Sequence, residues 1–148
     1  IINSNIILAK YLKADGIHLN PKDAPVDQAR LFLGKDVTIG VSASTFDQVR
    51  LAYGLGADYV ALGPTKFNHN KGLIEPLITI SKFVEIKKRC ISEGIDVPII
   101  ARGGINPEDF DLFMELGLDG VAISYNKEIK ISAEQRTKTL LEQLSHFN

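Results

Sequence analysis

Two adjacent glycines, Gly103 and Gly104, are the strongest chemical signal in the sequence. They follow an apolar run at residues 98–101, which predicts a strand, and precede Asn106, which predicts the start of a helix. Paired glycines let the backbone approach a ligand closely and direct N–H groups at an anion. Ser124, at the end of the next predicted strand, would complete such a cradle. We therefore predict a phosphate site here, and the alternative is a tight glycine turn that binds nothing.

Four other polar side chains stand at or near predicted strands. Asp23 follows a strand and is suited to Mg²⁺ through its oxygens, although a helix N-cap is the commoner role. Lys71 would meet a diphosphate as a point charge, or remain a solvated loop lysine. Ser42, at a strand end, is either a ligand or a turn hydroxyl. We interpret His18, which lies within a strand, as an interior histidine with partners rather than a catalytic base.

The elements that must position these residues alternate between short apolar strands and amphipathic helices, a pattern typical of a parallel sheet. Strands are predicted over residues 1–2, 16–19, 38–42, 59–62, 98–101 and 120–124. Helices are predicted over residues 6–12, from a cap at Asp23 to Leu33, from a capping box at Thr45 and Gln48, from Ile80 to Gly94, from Asn106, and over residues 132–144. The apolar faces of the third and fourth helices are predicted to include Phe46, Val49, Ala52, Tyr53, Ile80, Phe83, Val84, Ile86, Cys90 and Ile91.

A weak internal repeat places Asp15, Asp58 and Asp119 between the end of a helix and the start of a strand. In α/β folds the chemistry lies at the opposite, carboxyl ends of the strands. We therefore predict structural roles for these three carboxylates.

Six strands fit two architectures. A doubly wound, flavodoxin-like sheet needs five or six strands, whereas a (β/α)₈ TIM barrel typically needs about 200 residues or more. The barrel interpretation makes residues 1–148 a single, partial domain. The chain opens with Ile1 and Ile2 and no methionine, so we expect the natural N-terminus to lie upstream.

Composition narrows the classes of function. The net charge is -1 and the sequence pI is about 6.3, which gives no general attraction to nucleic acid or membrane. The apolar runs are too short to span a bilayer. Cys90 is the only cysteine, which excludes an internal disulfide, and we expect it in the core of a cytoplasmic protein. Association into a homo-oligomer is left open.

Seven segments, taken in order and spacing, resemble the thiamin phosphate synthase family and its TenI-like relatives over nearly the whole chain. They are Ile1-Ile2-Asn3, Asp15-Gly16-Ile17-His18-Leu19, Ile39-Gly40-Val41-Ser42, Gly56-Ala57-Asp58-Tyr59-Val60, Leu62-Gly63-Pro64, Gly103-Gly104-Ile105-Asn106-Pro107 and Asp119-Gly120-Val121-Ala122. The resemblance implies a (β/α)₈ barrel that here lacks its first two β/α units. It also implies a Mg²⁺-dependent transferase that joins hydroxymethylpyrimidine diphosphate to thiazole phosphate and releases pyrophosphate.

The resemblance implies that the protein binds small phosphorylated substrates. It also implies roles for individual residues. Asp23 would be a Mg²⁺ ligand, and Lys71 would be the lysine on the diphosphate. Ser42 would be catalytic together with Lys71 and would touch the diphosphate or the pyrimidine. The remaining positions would bind substrate: Asn3 at the diphosphate or its metal, Asn68 as a polar side chain before the lysine, and Gly103, Gly104, Ser124 and Tyr125 around the thiazole phosphate.

Four departures from the family pattern bear on this assignment. Ser4 stands where synthases usually have an aspartate, Asn20-Pro21 replaces Gly-Gln, and Ser44 replaces a histidine. Residues 67–70 replace a threonine-rich stretch. These changes favour a diverged or TenI-like member, either a thiazole tautomerase or a non-catalytic phosphate-binding barrel. Pro64, where tautomerases place a histidine, favours the synthase.

Overall fold

The structure is a computed structural model that describes residues 1–65, 77–124 and 132–145. Its strands are β1 (Ile2–Asn3), β2 (Gly16–Leu19), β3 (Thr38–Ala43), β4 (Tyr59–Leu62), β5 (Ile99–Arg102) and β6 (Gly120–Ala122). Its helices are α1 (Ile6–Tyr11), α2 (Val26–Leu33), α3 (Phe46–Gly54), α4 (Ile80–Ser92), α5 (Phe110–Glu115) and α6 (Ala133–Leu144), with a 3₁₀ turn at Pro107–Asp109 before α5. The predicted alternation of strands and helices is confirmed.

All neighbouring strands pair in parallel, and their order in the sheet follows their order in the chain. Because crossovers between parallel strands are right-handed, a sequential order places every connecting helix on the same face. That arrangement is a six-stranded half-barrel. A doubly wound sheet reverses its strand order and carries helices on both faces, so the flavodoxin-like alternative is wrong.

The core lies between the sheet and the helices. Alternate strand residues point to this side, because side chains of a strand alternate between faces. The buried strand residues of the core are Ile17, Leu19, Ile39, Ala43, Val60, Leu62, Ile99 and Ala101, and they pack with helix residues such as Val49, Phe83 and Ile86. The strand residues that alternate with these core residues point to the other face of the sheet, called here the inner face.

Side-chain caps explain where several helices begin. The Thr45 hydroxyl and the Gln48 side chain form the predicted capping box at the start of α3. Asn5, Thr79 and Ser132 cap α1, α4 and α6 in the same way through side-chain oxygens. The predicted cap at Asp23 is wrong, because α2 begins three residues later and has no side-chain cap.

Three residues predicted on apolar helix faces are exposed instead. Tyr53 and Ile91 each directly follow a buried residue on their helix, which turns them about 100° away from the sheet. Ile80 is the first residue of α4 and is also exposed. The buried stripe of α4 is therefore the narrower set Phe83, Ile86 and Cys90.

Two of the three repeated aspartates connect neighbouring strands through side-chain hydrogen bonds. The Asp58 carboxylate accepts the Ile39 N–H at 2.6 Å, and the Asp119 carboxylate accepts the Ile99 N–H at 2.8 Å. Asp58 also pairs with Arg30 at 2.6 Å. Asp15 joins β3 through its carbonyl oxygen, which accepts the Thr38 N–H. The structural roles predicted for these residues are confirmed.

In the part of the chain that the structure describes, no helix combines the length and the apolar character needed to cross a membrane.

Candidate functional site

Polar side chains converge where β1, β2 and β3 end. Asn3 pairs in register with His18, and His18 pairs with Gly40, two residues before Ser42. These positions share the inner face, opposite the apolar core. Ser42 is almost fully buried, with 3% of its surface exposed. A buried polar side chain must be hydrogen bonded to remain stable, so its partners locate the site.

Those partners centre on the side-chain amide of Asn20, just after β2. The Asn20 nitrogen Nδ2 donates to Ser4 Oγ at 2.9 Å and to Asp23 Oδ2 at 3.1 Å, and lies 3.5 Å from Asn3 Oδ1. The Ser42 hydroxyl donates to Asn20 Oδ1 at 3.4 Å. We call these five residues the Asn20 cluster. The cluster connects the ends of three adjacent strands.

Asp23 is the charged member of the Asn20 cluster. Burial alone would raise the pKa of its carboxyl, but hydrogen bonds from the Asn20 N–H, the Ser4 hydroxyl and the Asn20 amide, together with the nearby His18, outweigh burial and lower the pKa. The Asn20 N–H donates to Asp23 Oδ2 at 2.7 Å. Asp23 is therefore ionised at neutral pH and accepts hydrogen bonds only.

A chain of hydrogen bonds leads from the cluster to Tyr59. His18 Nε2 lies 2.9 Å from Ser42 Oγ, and His18 Nδ1 lies 3.0 Å from Tyr59 Oη. The single Ser42 proton is donated to Asn20 Oδ1, so His18 Nε2 donates to Ser42, and a second hydrogen bond joins His18 Nδ1 to the Tyr59 hydroxyl. The interior histidine predicted from the sequence is confirmed.

Gly40 makes room for the ring of Tyr59. A Cβ atom at Gly40 would lie 1.9 Å from Tyr59 Cζ and 2.4 Å from its hydroxyl oxygen. Glycine in the middle of a strand often marks such a close approach by a neighbouring group. The ring of Tyr59 also stacks on His18 with centroids 5.7 Å apart.

The partly buried phenol of Tyr59 is expected to make folding stability depend on pH in the alkaline range. Burial raises the pKa of its phenol, so the neutral form is favoured in the folded protein. Its contribution to stability is complete below the ordinary tyrosine pKa of about 10 and is lost as pH rises through the higher folded value. We expect the ultraviolet titration of tyrosines to contain a step above pH of about 10 that Tyr59→Phe removes. Tyr11→Phe, at an exposed position, should leave that step in place; a late step that survives Tyr59→Phe would contradict the assignment.

The second predicted site lies across the sheet, after β5. Gly103 and Gly104 have φ angles of 86° and 73°, a region that glycine tolerates best. Thr65, after β4, donates its hydroxyl to the Gly103 carbonyl oxygen at 2.5 Å. A Cβ atom at Gly103 would lie 2.6 Å from Pro64 Cβ. Gly103 thus packs tightly against the loop that follows β4.

A cavity of about 250 Å³ opens between α4 and α5. Its lining includes Thr65, Ile78 and Asp109. It shares Thr65 with the contacts of Gly103 and shares no residue with the Asn20 cluster. The cavity therefore adjoins the predicted phosphate site rather than the predicted metal site.

The structure brings some of the predicted residues together and separates others. Asn3, Asp23 and Ser42 meet in the Asn20 cluster at the ends of β1 to β3. Gly103 and Gly104 lie after β5, and Ser124 is exposed two residues beyond β6, which ends at Ala122 rather than at the predicted Ser124. Three further predictions, at Lys71, Asn68 and Tyr125, lie outside the described residues.

Sequence reasoning missed the two residues that organise the site. Asn20 was noticed only as a departure from a family pattern, although it follows His18 by two residues, the spacing of one strand face. In the sequence, Tyr59 stands out only as the first residue of a predicted strand and as part of one segment of the family resemblance. The signal that would have found it is Gly40 in the neighbouring strand, which leaves space for a large side chain.

The Asn20 cluster does not fit a divalent cation in the arrangement described. Mg²⁺ prefers carboxylate oxygens and an octahedral shell, and the cluster offers one carboxylate, two hydroxyls and two amide oxygens. The Asn20 nitrogen stands between these oxygens. No group of three or more His, Cys, Asp or Glu side chains suited to a metal occurs within residues 1–65, 77–124 and 132–145.

Comparisons with known proteins agree on one family. The family model described as thiamine monophosphate synthase matches residues 1–126. The thiamine-phosphate synthase of Bacteroides fragilis is 39% identical over 124 residues, which cover 84% of this chain and 61% of that protein. The thiamine-phosphate synthase of Flavobacterium johnsoniae is 36% identical over 145 residues, which cover 98% and 66%.

A solved structure supports the fold. The thiamine phosphate pyrophosphorylase from Pyrococcus furiosus superposes with a TM-score of 0.80 at 23% identity, and the match covers 98% of this chain and 66% of that one. At this identity the likeness concerns the fold alone. The chain thus spans about three fifths to two thirds of the length of these relatives.

Proposed function

Because the chain belongs to the thiamine monophosphate synthase family, we propose that the whole protein joins hydroxymethylpyrimidine diphosphate to thiazole phosphate. The bond between the pyrimidine methylene carbon and the diphosphate oxygen breaks, and pyrophosphate leaves with the electron pair. The thiazole nitrogen then supplies the pair that forms the new carbon–nitrogen bond. The proposal includes a cytoplasmic location and small phosphorylated substrates.

The proposal treats residues 1–148 as one domain, six strands of an eight-stranded barrel. Within the described residues, β1 and β6 each pair with a strand on one side only. Two further β/α units between these strands would close the sheet, and the resemblance puts those units before β1. The inner face would then become the barrel interior, and the loops after the strands would share one mouth.

The observation that carries the proposal is the convergence of Asn3, Asp23 and Ser42 on the Asn20 amide. In barrel enzymes, residues from the carboxyl ends of several strands build the active site together. The three residues implied by the resemblance come from three strands and meet in one hydrogen-bonded group. We propose that this group faces the diphosphate and the pyrimidine.

Catalysis in this proposal rests on position and charge rather than on a side-chain nucleophile. Lys71 places positive charge against the departing diphosphate. Ser42, oriented by His18, offers a hydroxyl at the same mouth, and Asn68 adds a polar contact. Gly103 and Gly104, with the backbone at Ser124 and Tyr125, hold the thiazole phosphate through N–H groups.

Mg²⁺ enters the proposal only together with the diphosphate. Mg²⁺ is usually bound by one or two carboxylates plus substrate phosphates, and it retains several waters. Asp23 is the carboxylate available to such an ion once the Asn20 amide has moved. When bound, the ion would neutralise charge on the departing diphosphate.

The test is a two-substrate assay of the complete polypeptide. Hydroxymethylpyrimidine diphosphate and thiazole phosphate are supplied with Mg²⁺, and pyrophosphate and thiamin phosphate are measured together. We expect both products in equal amounts. Isomerisation of a thiazole phosphate without pyrophosphate release would move the protein to the TenI-like tautomerases, and binding without turnover would leave a non-catalytic barrel.

A further inference from the structure

The side-chain nitrogen of Asn20 is surrounded by oxygens in the way that a cation would be. Ser4 Oγ lies 2.9 Å away, Asp23 Oδ2 lies 3.1 Å away, and Asn3 Oδ1 lies 3.5 Å away. These oxygens come from two separate segments, one after β1 and one after β2. A ring of oxygens from different segments is the arrangement that usually holds a hard metal ion.

The amide and a metal ion cannot occupy this place together. Mg²⁺ needs oxygens at about 2.0–2.1 Å, so an ion at the centre would stand where Nδ2 stands now. The amide carries two N–H donors, which satisfy the Ser4 and Asp23 oxygens without a full positive charge. The negative charge of Asp23 is further stabilised by the Asn20 backbone N–H at 2.7 Å.

Backbone hydrogen bonds hold the segments that carry these oxygens without help from the Asn20 side chain. Ser4 has a φ of 63°, which is uncommon for serine, and its N–H donates to the His18 carbonyl oxygen at 2.9 Å. The Asp23 N–H donates to the Asn20 carbonyl oxygen at 2.9 Å. Removing the Asn20 side chain would therefore leave the oxygens close together without their shared donor.

We infer that the Asn20 side-chain amide replaces a divalent cation in the corner formed by Asn3, Ser4 and Asp23, so that the free protein holds no resident metal there. The inference goes beyond the proposed function and does not depend on turnover. It also connects two departures from the family pattern. Ser4 removes a carboxylate from the corner, and Asn20 supplies the donor that the remaining oxygens need.

The experiment replaces the amide and asks whether a cation takes its place. In the complete polypeptide without substrates, Asn20→Ala should lower the melting temperature by about 2–4 °C. Mn²⁺ should restore this loss, because a ligand that binds only the folded state stabilises it. Mn²⁺ should bind Asn20→Ala roughly tenfold more tightly than the wild type, because the ion no longer has to displace the amide and its hydrogen bonds. Ser4→Asp with Asn20→Ala should bind more tightly still.

Two carboxylate variants serve as controls. Asp23→Asn combined with Asn20→Ala should abolish the rescue by Mn²⁺. Asp27→Asn combined with Asn20→Ala should keep it, because Asp27 is an exposed carboxylate on α2 outside the corner. This pair separates binding in the corner from general attraction of Mn²⁺ to acidic side chains.

Equal Mn²⁺ affinity in the wild type and in Asn20→Ala would overturn the inference, whether both proteins bind the ion or neither does. A melting temperature of Asn20→Ala that Mn²⁺ leaves unchanged would overturn it as well. Neither measurement uses a substrate. A protein without synthase activity can therefore pass this test, and an active synthase can fail it.

Discussion

Replacing Gly40 with alanine is expected to cost about 2–3 kcal/mol of folding stability, which is near the upper end for an overpacked site. The new Cβ would lie 1.9 Å from Tyr59 Cζ and 2.2 Å from Cε1, far inside van der Waals contact. The ring must leave its place, so the hydrogen bond between Tyr59 and His18 breaks. His18 is then no longer held in position to hydrogen bond with Ser42, so turnover in the proposed synthase reaction should fall together with folding stability. Chemical denaturation of both proteins measures the first effect.

Gly54→Ala is the matched control for this substitution. A Cβ atom at Gly54 would meet nothing within 4 Å, and the residue lies at the end of α3. Alanine there should leave stability unchanged or raise it by about 0.5–1 kcal/mol. The cost at Gly40 should also shrink when Tyr59 is alanine, since the clash is then absent. An equal cost in both backgrounds would show that Tyr59 is not the obstacle.

Lys71→Ala is expected to reduce turnover by about 10²- to 10³-fold while the fold remains intact. In the proposed reaction Lys71 is the fixed positive charge against the departing diphosphate, and alanine leaves that charge uncompensated. The measurement is kcat for pyrophosphate release from the complete polypeptide, with the melting temperature as a check on folding.

Lys82→Ala controls for the loss of one positive charge. Lys82 is an exposed residue of α4 that pairs with Glu85, so its removal should leave kcat within a factor of about two. Unchanged turnover in Lys71→Ala would refute the role of that lysine. Loss of turnover in both variants would point to net charge rather than to position.

Local patterns predicted the elements well and predicted the organisation of the site poorly. The capping box at Thr45 and Gln48 and the buried stripe through Phe83 and Ile86 depend on neighbours along the chain, which a sequence displays directly. The pairing of Gly40 with Tyr59 depends on the register of two strands, and register follows from packing of the whole sheet. It could not be obtained from either strand alone.

The Asn20 cluster shows the same limit in the site itself. Asn3, Asp23 and Ser42 could be proposed one by one, since each lies at the end of a strand or shortly after it. Their common partner could not, because Asn20 Nδ2 contacts oxygens of Asn3 and Ser4, which lie on a different segment of the chain. The predicted cap at Asp23 failed for a related reason. The carboxylate turns back to the Asn20 N–H, which precedes it in the chain, and does not reach α2.

The positions of the Asp58 and Asp119 carboxylates affect which loops of the protein can be altered without loss of the fold. Each fastens two adjacent strands at the end of the sheet opposite the Asn20 cluster, and each does so with its own hydrogen bond. These two hydrogen bonds hold the strands together at the end of the sheet that lies away from the loops proposed to bind substrates. The loops at the carboxyl ends of the strands can therefore be exchanged or lengthened without breaking the hydrogen bonds of Asp58 and Asp119.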